Sequence, residues 1–275
     1  MRPLSKVYTA LIFVILYAPI AVMVLFSFNS INSTGVFAGF STYWYRELFR
    51  DGATLAALKN TLLLAVSSSL IATVIGTVAA VGIFKLKSRA AKSAIMTVTN
   101  IPMMNPDIVT GISMMLLFVF VCVRLAGAAS LSFATVLVAH ITFNLPYVIL
   151  SVMPKLRQMD RHLTEAALDL GCTPMQAFWK VELPSIMPGV VSGLIMAFTL
   201  SLDDFVISYF TTGSGFETLP IRIYSMTKKR VTPDMYALST LIFIAVLALL
   251  ILSNLVGSRG EKKSRAKAPV PMEVT

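Results

Sequence analysis

The sequence predicts an all-α integral membrane protein that crosses the bilayer six times. Three observations carry this expectation. Charged residues make up 13% of the 275-residue chain and hydrophobic residues 56%, whereas soluble proteins carry about 25% charge. Apolar stretches recur at the length a crossing requires, about 20 residues at ~1.5 Å each over a ~30 Å hydrocarbon core. The positive charges mostly sit at the ends of those stretches.

Residues 7–28 form the first stretch, after Arg2 and Lys6. A basic start followed by an apolar run resembles a signal peptide. This run is too long for that and lacks a small-x-small cleavage motif, so a retained signal-anchor helix is expected. Residues 60–84 form the second stretch, without a charge. The third window, 93–123, carries Asp107, Pro102 and Pro106 and exceeds one crossing, so the membrane helix lies within it with its start unassigned. The fourth crossing falls in 131–152, the fifth in 184–210 and the sixth in 235–256. The polar, proline-bearing tail 258–275 is predicted disordered. The chain therefore reads as a single transmembrane domain, 1–275.

An inside N-terminus puts fifteen of the 23 Lys and Arg residues in the cytoplasm and seven outside, with Lys59 at a boundary. This is the positive-inside bias, and both termini are then cytoplasmic. The cluster Lys228, Lys229, Arg230 runs against it. A net charge of +10 distributed in this way marks loop ends, not a nucleic-acid face. Cys122 and Cys172 are expected as free thiols. The external stretch 29–58 is rich in aromatics, including Trp44 and Tyr45. An interfacial helix and a contact with an external partner both suit it.

The cytoplasmic segment 154–184 contains two short helices by its pattern. Leu156, Met159, Leu163, Ala166, Ala167 and Leu170 recur at helical spacing, and Gly171 ends that helix. Thr173 before Pro174 reads as an N-cap with proline at the first helical position. The second helix is expected to stop at Pro184. The small apolar face suits docking into a groove on a cytosolic partner.

Glu165, Ala166, Ala167 and Gly171, with Leu183 and Pro184 following twelve residues after the glycine, resemble the EAA motif of ABC importer permeases. "YAPI", "SFNS", Trp44–Tyr45, "PDIVTGIS" at 106–113, "LSLDDFV" at 200–206 and "LPIRIYSM" at 219–226 extend the resemblance over nearly the whole chain. They are similar to the spermidine/putrescine branch, of PotC/PotI type. The resemblance implies the six-helix type I ABC importer permease fold, with the EAA loop as the coupling helix seated in an ATPase subunit. It also implies a second, PotB-like permease, two PotA-like ATPases that bind ATP and Mg, and a periplasmic solute-binding protein. The permease itself would bind no cofactor and no metal, and would perform no covalent chemistry. The chain has no phosphate-cradling G-x-x-x-x-G-K-[ST] sequence of its own.

Intramembrane acids mark pathways or ion sites by default, so Asp107, Asp203 and Asp204 are pathway candidates for a multiply protonated polyamine. Phe205, Tyr209 and Tyr147 could add cation–π faces. The competing reading makes the adjacent acids helix caps or interhelical bonds, answered by Arg222 or Lys228; for Asp107 it is an N-cap role. His140 is expected to be a packed or hydrogen-bonded helix residue. Import of another amine-bearing or opine-like solute, secondary transport, a cation channel and a membrane scaffold are the alternative functions.

Overall fold

The computed structural model describes residues 3–33, 35–126, 131–228 and 232–265. The helices are α1 (Pro3–Phe26), α2 (Tyr43–Leu48), α3 (Gly52–Lys85), α4 (Arg89–Met104), α5 (Asp107–Val121), α6 (Phe133–Gln158), α7 (Arg161–Asp169), α8 (Pro174–Ala177), α9 (Leu183–Asp203), α10 (Val206–Thr211), α11 (Leu219–Thr227) and α12 (Pro233–Arg265). Among the described residues five helical stretches are long and apolar enough to span a membrane: Lys6–Phe26, Gly52–Lys85, Asp107–Arg124, Phe133–Gln158 and Pro174–Asp203. The last helix contributes the shorter apolar stretch Pro233–Ala248.

Two compact units divide the chain: Met1–Lys59 with Thr218–Leu249, and Asn60–Glu217 with Leu250–Thr275. In the first unit, the aromatic stretch folds on buried Asn29. Trp44 Nε1 donates to the Asn29 carbonyl at 2.8 Å, and Phe28 stacks on Phe40 at 4.8 Å between centroids. Leu48, Ala57, Leu219 and Leu238 form its apolar core. Asp51 caps α3, accepting from the Ala53 N–H at 3.1 Å and the Thr54 hydroxyl at 2.5 Å. Arg222 adds an ion pair to the same carboxylate at 3.2 Å.

The second unit packs α9 tightly on α6 over a core that includes Ala72, Ala80, Val148, Val152, Met153, Ile186 and Ala197. Two glycines make this approach possible. A Cβ on Gly189 would lie 2.9 Å from the Ser151 carbonyl oxygen, and one on Gly193 would lie 3.3 Å from Val148 Cα. Close backbone approach through small residues is how membrane helices gain dispersion contact where no water is expelled.

The structure places one boundary left unassigned by the sequence and moves three others, each for a local reason. The third window breaks at Asn105–Pro106, because a residue before proline is pushed from helix to extended backbone; the apolar span is Asp107–Arg124. The periodic helix through Leu156 and Met159 is split. Met159 turns extended and Asp160 caps α7, accepting from the His162 N–H at 3.0 Å. Pro184 does not stop the second cytoplasmic helix. A π-turn, Phe178–Glu182, carries the backbone on into α9, with the Leu183 N–H reaching back to the Phe178 carbonyl, so the wider turn accommodates the donor that proline lacks. Finally, α12 continues to Arg265, past the tail boundary at 258. Glu261, Lys262 and Lys263 are good helix formers, and no proline intervenes before Pro269. Lys229, Arg230 and the tail residues 266–275 lie outside the described residues.

Candidate functional site

The fifth crossing does not run through the acid pair. α9 ends at Asp203, and Asp204 is extended (φ −64°, ψ 123°). α10 then restarts at Val206. The break gives the two carboxylates different environments. Asp203 is exposed. Asp204 is 10% exposed and accepts from the N–H groups of Ser208 at 2.7 Å and Ile207 at 3.3 Å, satisfying donors at the start of α10.

His140, on α6, completes this arrangement. Its Nε2 lies 3.4 Å from Asp204 Oδ2 and 3.0 Å from Ser208 Oγ. Its Nδ1 lies 2.5 Å from Ser201 Oγ, which in turn lies 2.7 Å from Ser68 Oγ on α3. One imidazole therefore bridges both sides of the break, Ser201 on α9 and Ser208 on α10, and reaches α3 through a hydroxyl relay. The histidine and the three serines are buried to 2% exposure or less. A buried carboxylate is tolerated only when its oxygens are partnered, and here they are. The answering group is His140; Arg222 instead pairs with Asp51, and Lys228 lies over the Tyr224 ring at 4.6 Å.

The other candidates fall around this break. Phe205 and Tyr209 are 5.4 Å apart between ring centroids, and Tyr209 is 45% exposed. α10 packs on α5 and on α6. Asp107 is exposed at the first residue of α5, with Pro106 as the cap; there its charge complements the helix dipole. Tyr147 packs on Phe143 at 5.5 Å between ring centroids. What results is an exposed carboxylate close in sequence to the Phe205–Tyr209 ring pair, beside a second carboxylate engaged in holding the backbone. Such a surface can receive ammonium groups.

On the cytoplasmic segment, Gly171 closes α7 at φ +83°. The N–H of Cys172 reaches the Ala167 carbonyl at 3.0 Å and that of Gly171 reaches Leu168 at 2.9 Å, the double closure of a Schellman motif. Thr173 and Gln176 form a capping box around Pro174. Glu165 and Ala166 are exposed, Ala167 is buried, and Leu183 and Pro184 belong to the first turn of α9. Leu163, Leu170, Met175 and Trp179 present exposed apolar surface. Glu165 contacts His162 at 3.2 Å. Both cysteines are free thiols.

Sequence reasoning missed the bridging role of His140 and the buried Glu182 in the π-turn. The partners of His140 are 61 and 68 residues away, so no local pattern announces them. Glu182 had a visible signal, as the charge immediately before an uncharged run.

Membrane-length helices, a polar bridge across a broken helix and a separate helix–glycine–helix element describe a polytopic membrane protein. Residues 72–262 match the family described as binding-protein-dependent transport system inner membrane component. The chain belongs to that family. It is 39% identical over 251 residues to the putrescine transport system permease protein PotI of Escherichia coli K12, covering 91% of this chain and 89% of that protein. It is 37% identical to the spermidine/putrescine permease PotC of Haemophilus influenzae, covering 92% and 96%. Its fold resembles a chain of a bacterial ABC transporter that imports alginate, with a TM-score of 0.72 at 16% identity and coverage of 93% and 94%. The chain is thus a multi-pass inner-membrane permease subunit, non-catalytic itself.

Proposed function

We propose that this chain is the permease subunit of an ATP-driven importer that moves spermidine- or putrescine-like polyamines from periplasm to cytoplasm. The observation that carries the reading is identity above a third, over nine-tenths of the chain, to permeases named for those solutes. The chemistry of the break supports it. A polyamine is a slender chain of ammonium groups separated by methylenes. Asp203 offers the charge, and Phe205 and Tyr209 offer faces that suit both parts. Asp107 and Tyr147 form a second station, and Asp204 serves the pathway through the backbone it holds.

In this reading a periplasmic binding protein delivers the solute to this chain and a PotB-like second permease. Two PotA-like ATPases bind ATP and Mg and seat the 154–184 segment, contacting Glu165, Ala166 and Ala167 near Gly171, Leu183 and Pro184. Both termini are cytoplasmic. A solved alginate transporter bound to its periplasmic protein supports the delivery step by analogy of fold.

The test is uptake into proteoliposomes containing the complete complex, with ATP inside and binding protein outside. Labelled spermidine, putrescine, an opine and an amino acid are compared. Polyamine uptake that requires both ATP and the binding protein is the expected result. Preference for the opine, or conduction by this chain alone, overturns the reading.

A further inference from the structure

Glu182 is the one buried carboxylate of the cytoplasmic segment, and the arrangement above leaves it without a task. Asp160 caps α7, Glu165 is exposed beside His162, and Asp169 is exposed. Glu182 is 3% exposed and makes no cap bond at the start of α9. Its partner is Lys85, the last residue of α3, whose Nζ lies 2.8 Å from Oε2. The approach is off the hydrogen-bonding direction, so the contact is ionic.

We propose that Lys85 and Glu182 form an ionic tie that makes the cytoplasmic end of α3 move with the coupling segment, a positioning pair for energy transfer from the ATPase. The inference rests on the reading of residues 154–184 as that segment. Three features carry it. Glu182 closes the π-turn that joins α8 to α9, so the helical path runs without interruption from Pro174 to Asp203. A displacement at α8 therefore acts along one body that ends at the candidate solute station. π-turns inside α-helices recur at functional sites, and here the turn sets the direction in which the Glu182 side chain leaves the helix.

The second feature is asymmetry. The Lys85 side chain is 53% exposed and that of Glu182 is 4% exposed. If the two part, the lysine is rehydrated but the carboxylate is left buried and unpaired, which is the costly outcome. The bonded state is favoured over a range of helix positions, and the flexible lysine stem lets the contact survive sliding. The third is contrast with the other α3 contacts in this unit. Ser68 meets Ser201 through short hydroxyls, and Gly76 packs against Val148. Those contacts fix one geometry, whereas Lys85–Glu182 can follow a moving partner.

The test uses the complete transporter in proteoliposomes, reading solute uptake per ATP hydrolysed, ATPase retention on purification and melting temperature. Glu182→Gln keeps the shape and removes the charge. The double variant Lys85→Met/Glu182→Leu removes the tie and leaves no buried charge, so it retains stability. Both are expected to lower uptake per ATP at least about threefold, the scale of coupling carried by single contacts, with the ATPase still bound. Lys85→Arg is expected to preserve the ratio. A wild-type ratio in the double variant overturns the tie and leaves the pair a packing feature. A separate arm tests the underlying reading. Ala166→Arg, on an exposed position, is expected to release the ATPase; retention there overturns the coupling assignment whatever the pair does.

Discussion

Asp203→Asn and Asp204→Asn should separate transport from architecture, although the residues are neighbours. Asp203 is exposed at the end of α9 and available to a cation. A carboxylate–ammonium contact of this kind is a charge-assisted hydrogen bond worth about 1.5–3 kcal/mol net. At about 1.4 kcal/mol per decade, losing it lowers occupancy of the station roughly 10- to 100-fold. Capture at the binding protein is untouched, so maximal uptake should fall while half-saturation stays near wild type. Asp204 is different. Its oxygens hold the Ser208 and Ile207 N–H groups and the His140 imidazole. Asparagine keeps one acceptor oxygen and turns an amide donor toward groups that need an acceptor, so the cost appears as roughly 1–3 kcal/mol of stability. The assay is spermidine uptake by reconstituted complex, with yield and melting temperature measured on the same preparations. Undiminished uptake in Asp203→Asn at normal yield refutes the pathway role. An Asp204→Asn complex of wild-type stability refutes the structural one.

Three further outcomes follow from named contacts. His140→Phe should lower the melting temperature, because Asp204, Ser201 and Ser208 all lose a buried partner, at about 1–3 kcal/mol for each group left unsatisfied; an unchanged melting temperature removes the bridge from the account. Gly189→Val should force α9 off α6, since its Cβ alone would lie 2.9 Å from the Ser151 carbonyl oxygen; overpacking of this kind costs about 1–3 kcal/mol, measured as lost complex yield against Gly82→Val, whose Cβ meets nothing within 4 Å. The Asp51 carboxyl is held below its usual value by the Thr54 hydroxyl, the Ala53 N–H and Arg222. A depressed acid contributes stability above its ordinary value of about 3.9 and loses it as pH falls further. The stability gap between wild type and Asp51→Asn should therefore be present at neutral pH and close below about pH 4; a gap that persists in acid sinks the assignment.

How far the fold could be read from the sequence depended on the range of the interaction. Crossings announce themselves through composition, because lipid tolerates few charges: among the described residues five stretches carry a helix of membrane length and the sixth a shorter apolar one. The local punctuation of the cytoplasmic segment was equally legible. Gly171 took the left-handed turn, and Thr173–Pro174 began a capped helix. Proline was the misleading signal. Pro106 broke its helix, whereas Pro184 did not, because a π-turn supplied a backbone route around the missing donor. The choice between break and bypass depends on what the helix packs against. Here α9 is pressed onto α6 from Gly189 onward, and that packing rewards continuity.

The acid pair shows why sequence distance limits the reading of a site. Adjacent residues on an unbroken helix differ by ~100°, which predicts that two aspartates face different ways but not which one is held. The deciding group, His140, comes from another helix, and its ring can bridge Ser201 and Ser208 only because the chain breaks between them. The break in turn needs Asp204, whose carboxylate takes the N–H groups left open at the start of α10. Each feature requires the other, so neither appears in a linear pattern. The same interdependence distinguishes Asp203: its neighbour supports the backbone, and its own exposed carboxylate is the one the proposed pathway assigns to a passing cation.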